Sequence, residues 1–399
     1  MNRCFVFSMI VVIAFILNGC WDAYELDQIG IVTGVAIDKG EAKKLKMSVE
    51  IINAPELSPQ QSKGNSSTVV YGLEGNSVAE LSHKMNVAVS KKLDFSHLQT
   101  LVIGESVARE GLLDFLDYFE SSKETRNDFD FIIAKKVSAE DLMSTTYPTE
   151  NIPSMKIYSQ LETGSKEWGT YPRVRMKDII TAMVSEGRQP VIPVATVTGS
   201  IEEGINVENR KNVEPKAIVT FTNLGVFKGD KLLGYLSLDD TRNYLWTQNK
   251  LKFTSISVPC GKNKFFTVRA YHSQTNIKAN YRKGEPNIKL NIEMEARLDE
   301  IHCHADITKS NVYKKLEKKI EDHVEQKMTA TINKVQNKYK IDIFGFGDVM
   351  NRQDYQAFKK VKNKWDEEFT RADIAVNVKV NLRRAGVRTK SFLTELKNE

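Results

Sequence analysis

The chain is poor in the residues that most often carry chemistry: 399 residues hold only four cysteines, six histidines and ten prolines. Four cysteines scattered from Cys4 to Cys303 cannot make the dense disulfide framework of a small secreted scaffold. No Walker loop, no GxGxxG and no HExxH is present, which removes the common sequence signals for nucleotide and zinc-hydrolase sites. After residue 19 no apolar run approaches the roughly 20 residues of a membrane span. Neither sign of charge dominates, with 57 basic against 51 acidic side chains, and no base-reading module accompanies the slight excess, so nucleic acid is disfavoured. No internal repeat or low-complexity tract is visible. Hydrophobic content of 41% is ample for real cores, and the length suits two or three domains.

The apolar run that does exist stands at the start. Arg3 precedes a stretch from Phe5 to Leu17 in which only Ser8 is not apolar, the n-region and h-region of a secretory signal. It ends in Leu17-Asn18-Gly19-Cys20, which reads as a lipoprotein cleavage site. Residues 1–19 are expected to be removed, leaving Cys20 as a lipidated N-terminus; Asn18 is the unusual letter, where Ala, Ser or Thr is commoner. Removal takes Arg3 from the 57 basic residues and leaves 56 against 51 acidic ones, a modestly basic body at +5. Two acyl chains suffice for stable anchoring at about 0.8 kcal/mol per buried CH₂. With Cys20 lipidated, Cys260 and Cys303 form the one possible pair, and two buried or half-buried free thiols are expected rather than a disulfide.

Along the chain, Gly30–Asp38 and Lys46–Asn53 read as paired strands, Val69–Leu73 as a third, and Ser77 opens a helix through a Ser-x-x-Glu box with Val78, Leu81, Met85 and Ala88 inward. Strands at Leu98–Ile103 and Phe129–Ala134 alternate with helices at Leu112–Glu120 and from Ala139. A smaller helical region follows at Ser154–Leu161 and Met176–Val184, then a strand at Gln189–Thr198. Ala217–Lys228 and Lys231–Ser237 form a hairpin around Gly229-Asp230, and Asp239–Trp246 a short helix. Strands recur at Lys252–Val258, Phe265–Ala270 and Ile288–Leu298. A helix from Ser310 to Tyr339, on the order of 45 Å long, then a helix over Tyr355–Trp365 and a strand at Ile374–Leu382 complete the pattern. The fold class is α+β: three mixed α/β domains with mostly antiparallel or mixed sheets and one long helix near the C-terminus. The expected division is 20–200, with a small helical subdomain near 150–188, a linker at 201–215, a β-rich middle at 216–300, and 301–399 with the long helix and terminal strand.

Candidate chemistry is thin. His302-Cys303-His304 offers metal-binding side chains, but on a strand the two histidines face away from Cys303, so no metal site is assigned. Gly104-Glu105-Ser106-Val107-Ala108 faintly resembles a hydrolase elbow, without the second glycine or an evident partner histidine; a Ser106-capped strand-to-helix turn is the preferred reading. Asp94-Phe95-Ser96-His97 puts acid, hydroxyl and imidazole side by side, and sequence neighbours rarely form a relay. No catalytic residue and no cofactor is assigned. From Thr308 to Lys340 nine lysines stand against four acids: either an ordinary solvated face or a surface for anionic lipid or an acidic partner. Phe344-Gly345-Phe346-Gly347 at the helix break reads as aromatic plugs in a core, with glycine supplying unusual dihedrals.

Together these segments resemble one family, the Ger(x)C lipoproteins, C subunits of nutrient germinant receptors in endospore-forming bacteria. The resemblance runs through Cys20-Trp21-Asp22, Glu25-Leu26, Gly30–Asp38, Phe95-Ser96-His97, the Gly104-Glu105 to Gly111-Leu112 segment, Gly225-Val226-Phe227, Leu233–Leu236 and Trp246, then Asp342–Gly347 and Trp365–Phe369. It implies a three-domain α+β protein, not an enzyme, lipid-anchored through Cys20 on the outer face of the spore inner membrane. Its partners would be two multipass receptor subunits, an A-type and a transporter-like B-type. The reading kept beside it is a solute-binding lipoprotein that captures a nutrient and delivers it to a membrane partner.

Overall fold

A computed structural model describes residues 25–383, apart from 59, 124, 304–306 and 308. Its organising element is a nine-stranded mixed sheet in the order β3-β2-β1-β5-β6-β7-β8-β9, with a short β4 added beside β1. The strands are β1 (Ile29–Lys39), β2 (Leu45–Ile52), β3 (Thr68–Gly75), β4 (Lys92–Asp94), β5 (Thr100–Gly104), β6 (Asp130–Ala134), β7 (Val191–Gly199), β8 (Ala217–Lys228) and β9 (Lys231–Leu236). The centre, β1-β5-β6-β7, is parallel, and antiparallel strands flank it on both sides.

Parallel strands are covered on both faces, and period-2 alternation divides the core accordingly. Val35, Ile37, Leu101, Ile103, Phe131 and Ile133 pack with the helices Val78–Val89, Leu113–Ser121 and Met176–Val184. Ala36, Val102, Ile132 and Ala134 face the helices Ala139–Ser144 and Pro153–Thr163. Ser77 Oγ caps its helix by accepting from Glu80 N, but Ala88, expected inward, is exposed. Residues 201–215 carry two helical turns, Ile201–Gly204 and Glu208–Lys211. The buried Asn209 ties them to the distant Thr146, donating to its carbonyl O, and to the far end of the stretch, accepting from Lys216 N. The β8–β9 hairpin that follows remains in the first sheet.

The second sheet runs β10 (Thr254–Gly261), β11 (Lys264–Arg282), β12 (Glu285–Ile301) and β13 (Asp373–Arg383), the last parallel to β12. One face buries Val268, Leu290, Ile292, Met294 and Val380 against the Ser310–Lys334 helix, whose Leu316, Ile320, Val324, Met328 and Ile332 form the inward stripe. The other face is polar and open. A π-helical turn, Val335–Tyr339, continues the long helix to the residue where the sequence pattern ends it.

Candidate functional site

Open α/β sheets bind ligands beyond the carboxyl ends of their parallel strands. Here β1 ends in Asp38-Lys39, β5 leads into Glu105-Ser106 and β6 into Lys136–Ser138; these line an open cleft of about 1010 Å³. Its charges are largely paired within the chain: Glu105 with Arg109 at 2.7 Å and Lys46 with Glu140 at 2.7 Å. Asp38 accepts from Ala139 N at 2.8 Å and Glu140 N at 3.0 Å, so the first helical amides there already hold a carboxylate. Burial pushes the Asp38 carboxyl above its ordinary value, against the pull of those two amides.

Ser106 lies in this cleft, on the helix Glu105–Glu110, whereas His97 precedes the opposite end of β5. Five strand residues place them roughly 17 Å apart. The His97 ring instead meets Ser96 Oγ at 3.0 Å, and Asp94 accepts from Ser96 N at 2.8 Å, which makes the Asp94–His97 segment a turn around the buried Phe95. The hydroxyl and the imidazole singled out in the sequence are therefore not brought together.

The expectation of free thiols is overturned: Cys260 and Cys303 form a disulfide, with Cα atoms 6.2 Å apart. They are 43 residues apart in sequence, but β10 and β12 both pair with β11, which folds the separation away. His302 contacts Glu300 at 2.7 Å, and His304 lies outside the described residues. Among the described residues no group of three or more His, Cys, Asp or Glu side chains is arranged to hold a metal ion.

The Phe344–Gly347 segment is the junction between the two sheets. Asp342, fully buried, accepts from Phe344 N (2.8 Å), Gly345 N (2.9 Å), Gly347 N (2.9 Å) and Trp365 Nε1 (2.9 Å). Burial pushes its carboxyl up to about 6 against these four donors. Phe344 and Phe346 stack at 5.1 Å inside the core, as the sequence reading has them. Gly345 has φ +77°, and a side chain there would strike Arg188. From the first sheet's side, Gln189 N donates to Asp342 O at 2.7 Å and Arg188 pairs with Asp348 at 2.8 Å, while Gly187 abuts Gly347 too closely for any Cβ. The sequence displays the glycines and aromatics, and the resemblance includes Asp342, but neither shows that this acid binds them.

The long helix has a division of labour that composition hides. Glu317, Glu321 and Glu325 accept from Leu382 N (2.9 Å), Val380 N (3.1 Å) and Val378 N (2.9 Å) of the edge strand β13. One helical step of four residues advances about 6 Å and two strand residues about 6.7 Å, so the two repeats mesh. Three of the four acids noted above are thus committed to backbone. Lys314, Lys315, Lys319 and Lys327 stay exposed.

The architecture and its sites define a class: a two-sheet α/β body whose most elaborate polar constellations hold its parts together. Residues 22–197 match the model of the spore germination protein N-terminal domain, and residues 222–386 that of the spore germination B3/GerAC-like C-terminal domain. The chain belongs to this family of spore germination proteins. It is 28% identical over 407 residues to spore germination protein KC of Bacillus subtilis (strain 168), covering 100% of both chains. Spore germination protein B3 of the same organism is 23% identical over 380 residues, 93% of this chain and 95% of that one. The crystal structure of the GerBC protein superposes with a TM-score of 0.55 at 20% identity, covering 88% of this chain and 96% of that one, a likeness of fold.

Proposed function

We propose that this chain is a lipid-anchored, non-catalytic subunit of a membrane germinant receptor, required for nutrient-triggered spore germination and acting through protein contacts at the membrane surface. One observation carries the reading: the family match, in order, across both halves of the chain. Among the described residues no helix is long and apolar enough to cross a membrane. Cys20, which lies outside the described residues, supplies the attachment through its lipid. The body then sits on the outer face of the spore inner membrane beside an A-type subunit and a transporter-like B-type subunit. A tether raises local concentration, so weak contacts suffice for assembly. The exposed lysines of the long helix are the surface assigned to those contacts.

Photocrosslinkers at Lys315, Lys319 and Lys327 in spore membranes test this. Adducts with the multipass subunits are expected; recovery of lipid alone, or of nothing, counts against the assembly reading. The solute-binding reading draws on the cleft beyond β1, β5 and β6. It requires a nutrient to raise the melting temperature of the purified chain, since ligand at 100 times its Kd stabilises by about 2.7 kcal/mol.

A further inference from the structure

The open face of the second sheet carries one row with no evident structural purpose. Arg269 pairs laterally with Arg297, and Arg297 with Arg383, so three arginines stand in register on three neighbouring strands. Like charges directly opposite one another weaken a sheet. The next rows are mixed, His272/Glu295/Asn381 and Gln274/Glu293/Lys379, and further along Asn276, Asn291 and Asn377 make a neutral ladder. The arginine row therefore stands out against its own sheet.

Its guanidinium groups are oriented. Asp299 sits between Arg269 and Arg297 and contacts each through Nε, at 3.0 and 3.1 Å. Among the described residues the terminal Nη groups of both arginines are left without a protein acceptor. Glu295 holds Arg383 through Nη2 at 2.8 Å and also accepts from Tyr271 Oη at 3.0 Å. The carboxylates thus fix the forks and leave donors free, the geometry that suits a bidentate oxyanion.

The opposite wall is aromatic. Trp168 and Phe253 are 58% and 41% exposed, and with the three arginines and Tyr271 they line a cleft of about 770 Å³ between the first sheet's π-helical turn Gly164–Trp168 and the second sheet. Gly169 closes that turn at φ +61°, with Leu251 packed where a Cβ would stand. Glu167, beside Trp168, also lines the cleft and sets its polarity: the anionic end belongs at the sheet, the apolar end at the turn. Concave sites of this size, with aromatic walls and a few converging polar groups, suit small ligands.

We propose that this cleft binds an organic anion, a carboxylate or phosphate joined to an apolar body, with the oxyanion on Arg269, Arg297 and Arg383 and the body against Trp168 and Phe253. Its source is either a soluble metabolite or an anionic phospholipid, whose acyl chain is then the apolar body, and the test separates them. Phenyl phosphate and benzoate are titrated into the full chain in detergent, following tryptophan emission and heat. Of the four tryptophans, Trp246 and Trp365 are buried and Trp21 lies outside the described residues, so Trp168, which lines the cleft, is the one placed to report an occupant, and its share of the signal is read from the difference between the parent and Trp168→Phe. Saturable quenching is expected, together with an affinity at least about tenfold weaker in Arg297→Ala and in Arg297→Lys, which keeps the charge but loses the fork. Trp168→Phe should remove most of the quench and retain the heat. Displacement by short-chain phosphatidylglycerol but not phosphatidylcholine assigns the site to lipid; no displacement by either assigns it to a soluble anion. If Arg297→Ala fails to fold, Arg297→Lys decides. No saturable binding of either probe, or binding that Arg297→Lys leaves unchanged, overturns the proposal.

Discussion

Glu321 Oε1 accepts a hydrogen bond from Val380 N at 3.1 Å, joining the long helix to the one N–H row that β12 leaves unpaired on β13. Open strand edges invite pairing with other chains, and Glu317 and Glu325 close the same edge one helical turn to either side. Glu321→Ala should cost about 1–3 kcal/mol in urea unfolding, as expected for a hydrogen bond to a charged acceptor. Removing all three carboxylates should also promote self-association in sedimentation runs, while Glu→Gln at the same positions, which keeps an acceptor, should not.

Asp342 presents only acceptors to four N–H donors. An asparagine there turns an amide NH₂ toward one or more of them and leaves buried donors unpaired. Asp342→Asn should lower stability by about 3 kcal/mol or more, and Trp365→Phe, which removes one donor, by clearly less. Urea melts of the two variants check the ranking.

Glu50 is fully buried under the N-terminus of the Pro153–Thr163 helix, bonded to Thr33 Oγ1 at 2.7 Å and to the Ser154 hydroxyl. Burial raises its carboxyl from 4.5 to about 7, against those hydrogen bonds. Between these two values the unfolded chain has lost a proton that the folded chain keeps, so this group's contribution to stability falls as pH rises through the window and is flat above it. Glu50→Gln should be more stable than the parent at pH 8, by about 1–3 kcal/mol, with the gain vanishing near pH 4. Thermal melts across pH 4–8 read the slope; an unchanged slope would sink the assignment.

The Cys260–Cys303 bridge closes a 43-residue separation. Chain entropy puts such a loop at about 4 kcal/mol, an upper figure because β10, β11 and β12 already hold its ends together. Cys303→Ser should cost about 2–4 kcal/mol and abolish any difference between reducing and non-reducing melts.

What was legible in the sequence was local. The Met176–Val184 stripe, the Gly229-Asp230 hairpin and the long helix follow from periodicity and turn chemistry, and all three are present. The second half of β11, His272 to Arg282, was missed because its outward residues are polar and its inward ones, such as Ser273 and Thr275, are not strongly apolar. Its free edge is instead completed from a distance: Gln353 accepts from Ala279 N at 2.8 Å and Asp354 from Tyr281 N at 3.0 Å. The pairing of β8 with β7 across residues 201–215 likewise has no local signal. Cys260 and Cys303 were read apart because sequence distance says nothing about strand order. Glutamates at positions 317, 321 and 325 form a visible four-residue repeat, but with lysines around them the run reads as a solvated face or a partner surface, and nothing local points to the strand edge that they cap. The arginine row was invisible for the same reason: register, not composition, assembles it.

If a lipid on Cys20 holds this body where its receptor partners are, as proposed above, germination depends on that cysteine. The most direct measurement places Cys20→Ala in spores and follows both fractionation of the chain and nutrient-triggered germination. The variant is expected to leave the inner-membrane fraction and the nutrient response to fall with it, while the purified body melts as the parent does. Full membrane retention with a normal nutrient response would contradict the proposal.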